Sequence, residues 1–126
     1  MQSRIVVILD TNMLLVPFQF SINLDKSIHD LLGTVEVVVP SSVLLELEGL
    51  AQENSKAKSA IKFAKKYNVV EVKEKGDRGI MEAIHKFEDR KVYIATQDRN
   101  LCRKIRKMGY EVIILREGQR LAFAER

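Results

Sequence analysis

Arg4-Ile5-Val6-Val7-Ile8-Leu9, stopped by Asp10, is the stretch from which the architecture is read. The run is rich in β-branched residues, too short for a helix and apolar on both faces, which is the pattern of a strand buried in the middle of a parallel sheet. Working outward, Val35 to Val39, Val69 to Lys73, Val92 to Ala95 and Val112 to Leu115 read the same way, giving about five strands. Between them lie stretches of 3.6-residue periodicity. They run over Leu24 to Leu32, Ser42 to Ala51, Ser55 to Tyr67, Asp77 to Phe87 and Asp98 to Met108, the first and last closed by Gly33 and Gly109. Alternating strands and helices predict right-handed crossovers with helices on both sheet faces, hence a three-layer α/β/α sandwich around a central parallel sheet. Pro40 ends a strand, and Ser41-Ser42 after it suit the cap of the next helix. Asp10 to Phe20 reads as a loop, and the tail Gln119 to Arg126 as either a short edge strand or a frayed end.

At 126 residues, 46% hydrophobic and 30% charged, the chain fits one domain spanning residues 1–126. Disorder is excluded by that apolar content, and no run approaches the ~18 apolar residues of a membrane span. The five-residue apolar run before Asp10 is shorter than the ~7–15 residues of an export signal's core. A single cysteine, Cys102, excludes an internal disulfide framework and a cysteine-built zinc site. A cytoplasmic location is the expectation. Charge is uneven: residues 1–63 carry five basic and seven acidic side chains, residues 64–126 sixteen and ten, for nets of −2 and +6. A basic surface gathers polyanions by releasing their counterions, so nucleic acid is an expected partner.

In open α/β sheets ligands sit beyond the carboxyl ends of the strands. Four carboxylates fall on that rim: Asp10 after the first strand, Glu46 in the helix after Val35 to Val39, Asp77 opening the helix before Val92 to Ala95, and Asp98 just after that strand. Asp77 and Asp98 also suit helix N-caps, worth about 1 kcal/mol each. Glu46 and Glu48 border the apolar face of their helix at similar angles, and periodicity does not choose between them. Asp10 is the strongest case, because a carboxylate closing an apolar central strand is partly desolvated and needs a compensating charge. Carboxylates sharing a site repel one another until a cation neutralises them. Oxygen donors select Mg²⁺ or Mn²⁺ over zinc, and nitrogen and sulfur donors are scarce: His29 and His85 lie on separate helices and read as surface residues. Carboxylate-held divalent ions chiefly serve phosphoryl chemistry, which makes metal-dependent phosphodiester hydrolysis the leading enzyme class.

These residues bear a resemblance to PIN-domain nucleases that covers most of the chain. It rests on Val6-Val7-Ile8-Leu9-Asp10-Thr11-Asn12, on Val39-Pro40 through Glu46-Leu47 and Leu50, on Asp77 with Ile80 and Ala83, and on Ala95-Thr96-Gln97-Asp98 with Leu101. The resemblance implies a parallel α/β/α sandwich whose acids, here Asp10, Glu46, Asp77 and Asp98, hold Mg²⁺ or Mn²⁺ and cut RNA. It places the glutamate at Glu46 because the family's glutamate precedes a leucine, and it makes Asn12 and Thr96 supporting residues that orient the acids. The stretch from Asp10 to Phe20 resembles the Fcf-type branch that processes ribosomal RNA. The sequence departs from that branch at Arg78, and from many PIN domains at Asn100, where further acids often stand.

On the helix from Asp98, Arg99, Arg103 and Arg106 share a face with Lys104 and Lys107, opposite Leu101, Cys102, Ile105 and Met108. That face reads either as a solvated surface or as a phosphate track leading to the acids. A second stripe, Lys58, Lys62, Lys65 and Lys66, reads as solvated. Aromatic residues make up 6% of the chain, so base stacking is not an obvious device; Phe18 and Phe20 suit a core or dimer contact. The leading expectation is therefore a Mg²⁺- or Mn²⁺-dependent endoribonuclease acting on ribosomal RNA or its precursor, with a homodimer allowed. Its rivals are a ribonuclease toxin held by an antitoxin protein, and a PIN scaffold that binds RNA or protein without useful catalysis.

Overall fold

The computed structural model describes residues 3–125. Six strands, β1 (Ile5–Leu9), β2 (Glu36–Pro40), β3 (Asn68–Val70), β4 (Lys91–Ala95), β5 (Glu111–Arg116) and β6 (Arg120–Phe123), form one sheet among these residues, in the order β3-β2-β1-β4-β5-β6. All neighbours are parallel except β5 and β6. The helices are α1 (Thr11–Phe20), α2 (Leu24–Leu32), α3 (Ser41–Ala51), α4 (Ser55–Ala64), α5 (Gly76–His85) and α6 (Arg99–Lys107). The expected three-layer α/β/α sandwich with a central parallel sheet is what the chain forms.

The opening strand lies at the centre as read: Val6, Val7, Ile8 and Leu9 are wholly buried, with β2 on one side and β4 on the other. From β1 the chain winds outward through β2 and β3, then returns to the other side of β1 with β4. The crevice between the carboxyl ends of β1 and β4 is therefore the point where strand order reverses, the usual ligand position in such sheets.

Two expectations are corrected, and the tail, left open between an edge strand and a frayed end, takes the first of those readings. Residues 11–20 are not a loop but α1, a helix apolar around most of its circumference, with Thr11, Met13, Leu14 and Val16 buried. A helix buried on several faces loses the polar stripe that marks helical period, and Pro17 inside it masked the rest. Phe18 consequently packs edge-on against Phe63 of α4, ring centroids 5.9 Å apart, while Phe20 is 45% exposed. Ser41 and Ser42 do not cap α3, whose N-cap is Pro40. The Ser41 hydroxyl instead donates to the Val72 carbonyl at 3.2 Å and accepts from the Val72 N–H at 2.9 Å, tying α3 to the segment after β3. The tail forms β6, an antiparallel edge strand reached through a tight turn with Glu117 at φ 57° and Gly118 at φ 65°; Arg126 lies outside the described residues. Arg116 pairs with Arg120, so the connection spans residues 117–119, with positive φ at the first two. No helix among the described residues is long and apolar enough to cross a membrane.

Candidate active site

Asp10 ends β1 and caps α1. Its N–H donates to the Ala95 carbonyl at 3.0 Å, extending the β1–β4 ladder by one bond and fixing the backbone that carries the carboxylate. One carboxylate oxygen accepts from the Thr11 N–H at 2.8 Å and the other from the Thr96 hydroxyl at 2.7 Å. Thr96 is itself fully buried and accepts the Asp98 N–H at 3.1 Å, so one hydroxyl joins the end of β1 to the start of α6. Asn12 adds a second tie: its side-chain oxygen accepts the Gln97 N–H at 2.8 Å. Gln97 then accepts the Leu115 N–H at 2.7 Å through its side-chain oxygen, anchoring the β4–α6 connection to β5. Asn12 and Thr96 thus tie the segments carrying Asp10 and Asp98 to each other.

The four acids reach one cleft. Asp10, Glu46, Asp77 and Asp98 line a cavity of about 270 Å³ together with Thr11, Leu15 and Leu50. Glu46 comes from the second turn of α3 and accepts the Thr11 hydroxyl at 3.0 Å, whereas Glu48 takes no part in the cleft. Thus the structure resolves what helical period left open. Asp98 is both N-cap and cleft residue: one oxygen accepts the N–H groups of Asn100 at 2.9 Å and Leu101 at 3.1 Å. Asp77 is not an N-cap; that position falls to Lys75, and Asp77 sits in the first turn of α5, paired with Lys104 Nζ of α6 at 3.1 Å.

Burial pushes the Asp10 carboxyl above its ordinary value, and the charges of Glu46 and Asp98 push in the same direction, against the Thr96 and Thr11 hydrogen bonds. Ionised Asp10 is therefore held in a place that disfavours its charge, and a cation beside it would relieve that penalty. The donor set is all oxygen, which fits a hard divalent ion. As placed, no three Asp, Glu, His or Cys side chains among the described residues stand close enough together to enclose an ion. The charges of Glu46 and Asp98 bear on Asp10 across the cleft, while Asp77 is drawn towards Lys104.

Sequence reasoning missed two participants. Thr11, 4% exposed, orients Glu46, and its place beside Asp10 on a strand-to-helix junction was the signal available. Lys104 was grouped with the basic face of α6, but its wheel position lies away from Arg99, Arg103 and Arg106, towards α5. Those three arginines line a separate, larger cavity of about 650 Å³ that shares Asp98 with the acid cleft. On the other stripe, Lys62 and Lys65 are exposed as expected, whereas Lys66 pairs with Asp25 and lies 4.0 Å above the Phe63 ring. His85 pairs with Glu88 at 2.7 Å on the exposed surface.

Residues 7–118 match the family described as PIN like domain. The chain belongs to that family. Among curated proteins it is 28% identical over 119 residues to ribonuclease VapC9 of Archaeoglobus fulgidus, the match covering 90% of this chain and 85% of the relative. Among solved structures the PIN domain endonuclease Utp24 superposes with a TM-score of 0.78 at 24% identity, over 94% of this chain and 90% of that one, a likeness of fold. The PIN-like match spans the segments that place Asp10, Glu46, Asp77 and Asp98 on one rim.

Proposed function

We propose that this PIN-like chain is a divalent-metal-dependent endoribonuclease. The observation that carries the reading is the half-buried Asp10 carboxylate, fixed by Thr96 and Thr11 at the strand-order reversal and crowded by Glu46 and Asp98 in the cleft those acids share with Asp77. Asp10, Glu46, Asp77 and Asp98 would hold Mg²⁺ or Mn²⁺. When bound, the ion supplies electrostatic stabilisation of charge developing on the phosphoryl oxygens and lowers the pKa of the attacking water. Thr96 keeps Asp10 aimed into the cleft, Thr11 does the same for Glu46, and Asn12 holds the Gln97–Asp98 segment against α1. Arg99, Arg103 and Arg106, beside Asp98, bind the phosphate backbone and bring the scissile bond to the acids. The likeness to a ribonuclease over most of the chain supports RNA as the substrate. The resemblance of Asp10 to Phe20 to the Fcf-type branch favours ribosomal RNA or its precursor.

Incubation of structured and single-stranded RNAs with the wild type and with Asp10→Asn, in Mn²⁺, Mg²⁺ or EDTA, tests this reading. Cleavage by the wild type with either metal, lost in EDTA and reduced at least ~10²-fold in Asp10→Asn, is expected. Cleavage by Asp10→Asn within tenfold of the wild type would end it. A ribonuclease toxin with an antitoxin partner is the second reading, supported by the same VapC9 likeness. It shares the cleft and differs in having a cognate inhibitor protein.

A further inference from the structure

The larger cavity lies between α6 and the β5–β6 hairpin and holds about 650 Å³, within the range of small-molecule sites. Its floor is apolar or aromatic, formed by Cys102, Tyr110, Ile114 and Ala124. Its rim carries the guanidinium groups of Arg99, Arg103, Arg106 and Arg116 with the ammonium of Lys107. Arg103 is steadied by Asn100, whose side-chain oxygen accepts from it at 2.9 Å, and Arg106 and Arg116 donate to main-chain carbonyls of Glu125 and Phe123. Arg99 and Lys107 have no side-chain hydrogen-bond or ion-pair partner among the described residues, while Glu111, Glu125 and Asp98 temper the positive charge. One end of the cavity is Gln97-Asp98, and Asp98 is also a wall of the acid cleft, so the two spaces adjoin.

From this arrangement we infer that the cavity under α6 is a nucleotide-binding pocket, taking the base and phosphate of the RNA unit next to the bond cut at the acids. The inference rests on the nuclease reading for its substrate and adds to it a pocket with a base-binding floor. A phosphate track alone needs cations on a convex helix face. Here the cations instead ring a concave space floored by Tyr110 and aliphatic atoms. A flat base fills such a space, because stacking on aromatic and guanidinium planes suits any base and its phosphate meets the forked donors of Arg. Measured along α6, Asp98 to Arg106 spans about 12 Å, so the pocket extends the cleft along that helix.

Equilibrium dialysis of the wild-type chain in EDTA against adenosine 5′-monophosphate, ribose 5-phosphate, inorganic phosphate and tetraglutamate tests the inference without any cleavage step. Adenosine monophosphate should bind once per chain and at least tenfold more tightly than each of the other three. Cys102→Phe, which fills the floor, and Arg103→Ala, which removes an exposed rim cation, should each weaken that binding at least fivefold. Two variants at different points keep the test informative if either fails to fold, as judged by circular dichroism. Ribose phosphate or inorganic phosphate binding as well as the nucleotide would reduce the pocket to a charge-only site. Tetraglutamate binding as well would make it a peptide surface. Absence of nucleotide binding, or binding unchanged in the folded variants, would overturn the inference outright. Nucleotide binding in EDTA without RNA cleavage in Mn²⁺ would instead sink the nuclease reading and leave the pocket.

Discussion

Replacing Thr96 by Val keeps volume and β-branching but removes the one hydroxyl that joins Asp10 to Asp98. The residue is fully buried, donating to Asp10 at 2.7 Å and accepting from the Asp98 N–H at 3.1 Å. A hydrogen bond to a charged group contributes about 1.5–3 kcal/mol and a neutral one about 1 kcal/mol, so the loss sums to about 2.5–4 kcal/mol. The Asp10 carboxylate, already raised by burial, keeps only the Thr11 N–H, and its charged form is disfavoured further. With a urea m-value of about 1.5 kcal/mol/M, the unfolding midpoint of the metal-free protein should fall by roughly 1.7–2.7 M. Thr96→Ser is the control: it keeps the hydroxyl and loses one buried methyl, about 1 kcal/mol. Urea titrations followed by far-ultraviolet circular dichroism at pH 7 in EDTA measure both. A Thr96→Val midpoint equal to or above that of Thr96→Ser would refute the claim that this hydroxyl holds the two acids in place.

Three other perturbations have signs fixed by the structure. Gly79→Ala, which in an open helix would stabilise, should destabilise by about 1–3 kcal/mol in thermal melts, because the new Cβ would stand 2.6 Å from Ser42 Oγ and 2.7 Å from the Glu74 carbonyl oxygen, displacing the turn that carries Asp77. Glu36 is held below its ordinary value of 4.5 by Arg90 first and Asn68 second, so its contribution is present above that value and lost as pH falls through the lowered one. Glu36→Gln should accordingly be less stable than wild type at pH 7, and the gap should close in melts taken progressively below pH 4.5. Replacing Arg103 and Arg106 together by Ala should weaken RNA binding and flatten its salt dependence by roughly 0.7 log units per lost contact, whereas Lys62 and Lys65 replaced together, equal in charge removed, should change little. Equal salt slopes from the two double variants would make the α6 arginines an ordinary solvated face.

The central strand was legible because a buried parallel strand is apolar on both faces, and RIVVIL has no other short reading. Asp10 and Asp98 were legible for a related reason: topology alone puts the residues after β1 and β4 side by side at the reversal of strand order. Asp77 fell on the right rim but for the wrong local reason, since Gly76 starts α5 one residue earlier and leaves Asp77 free to face Lys104. Choosing Glu46 over Glu48 required either the family resemblance or the Thr11 hydroxyl, because both glutamates border the same apolar stripe. Helix α1 escaped notice because period is a contrast between faces, and a helix buried on several faces has little contrast to show. The β6 hairpin was left open because Glu117-Gly118 is a weaker turn signal than Asn-Gly, although the backbone adopts the same paired positive φ. The basic cavity could not be read from a helical wheel, since one of its walls comes from β5 and the tail.

Whether the acids together hold a divalent cation is most directly measured by titrating Mn²⁺ into the metal-free wild type and into Asp10→Asn, counting free ion by electron paramagnetic resonance. The account predicts saturable binding by the wild type and at least tenfold weaker binding by Asp10→Asn, with its circular dichroism unchanged. Mn²⁺ bound equally by both proteins, or by neither, would contradict it.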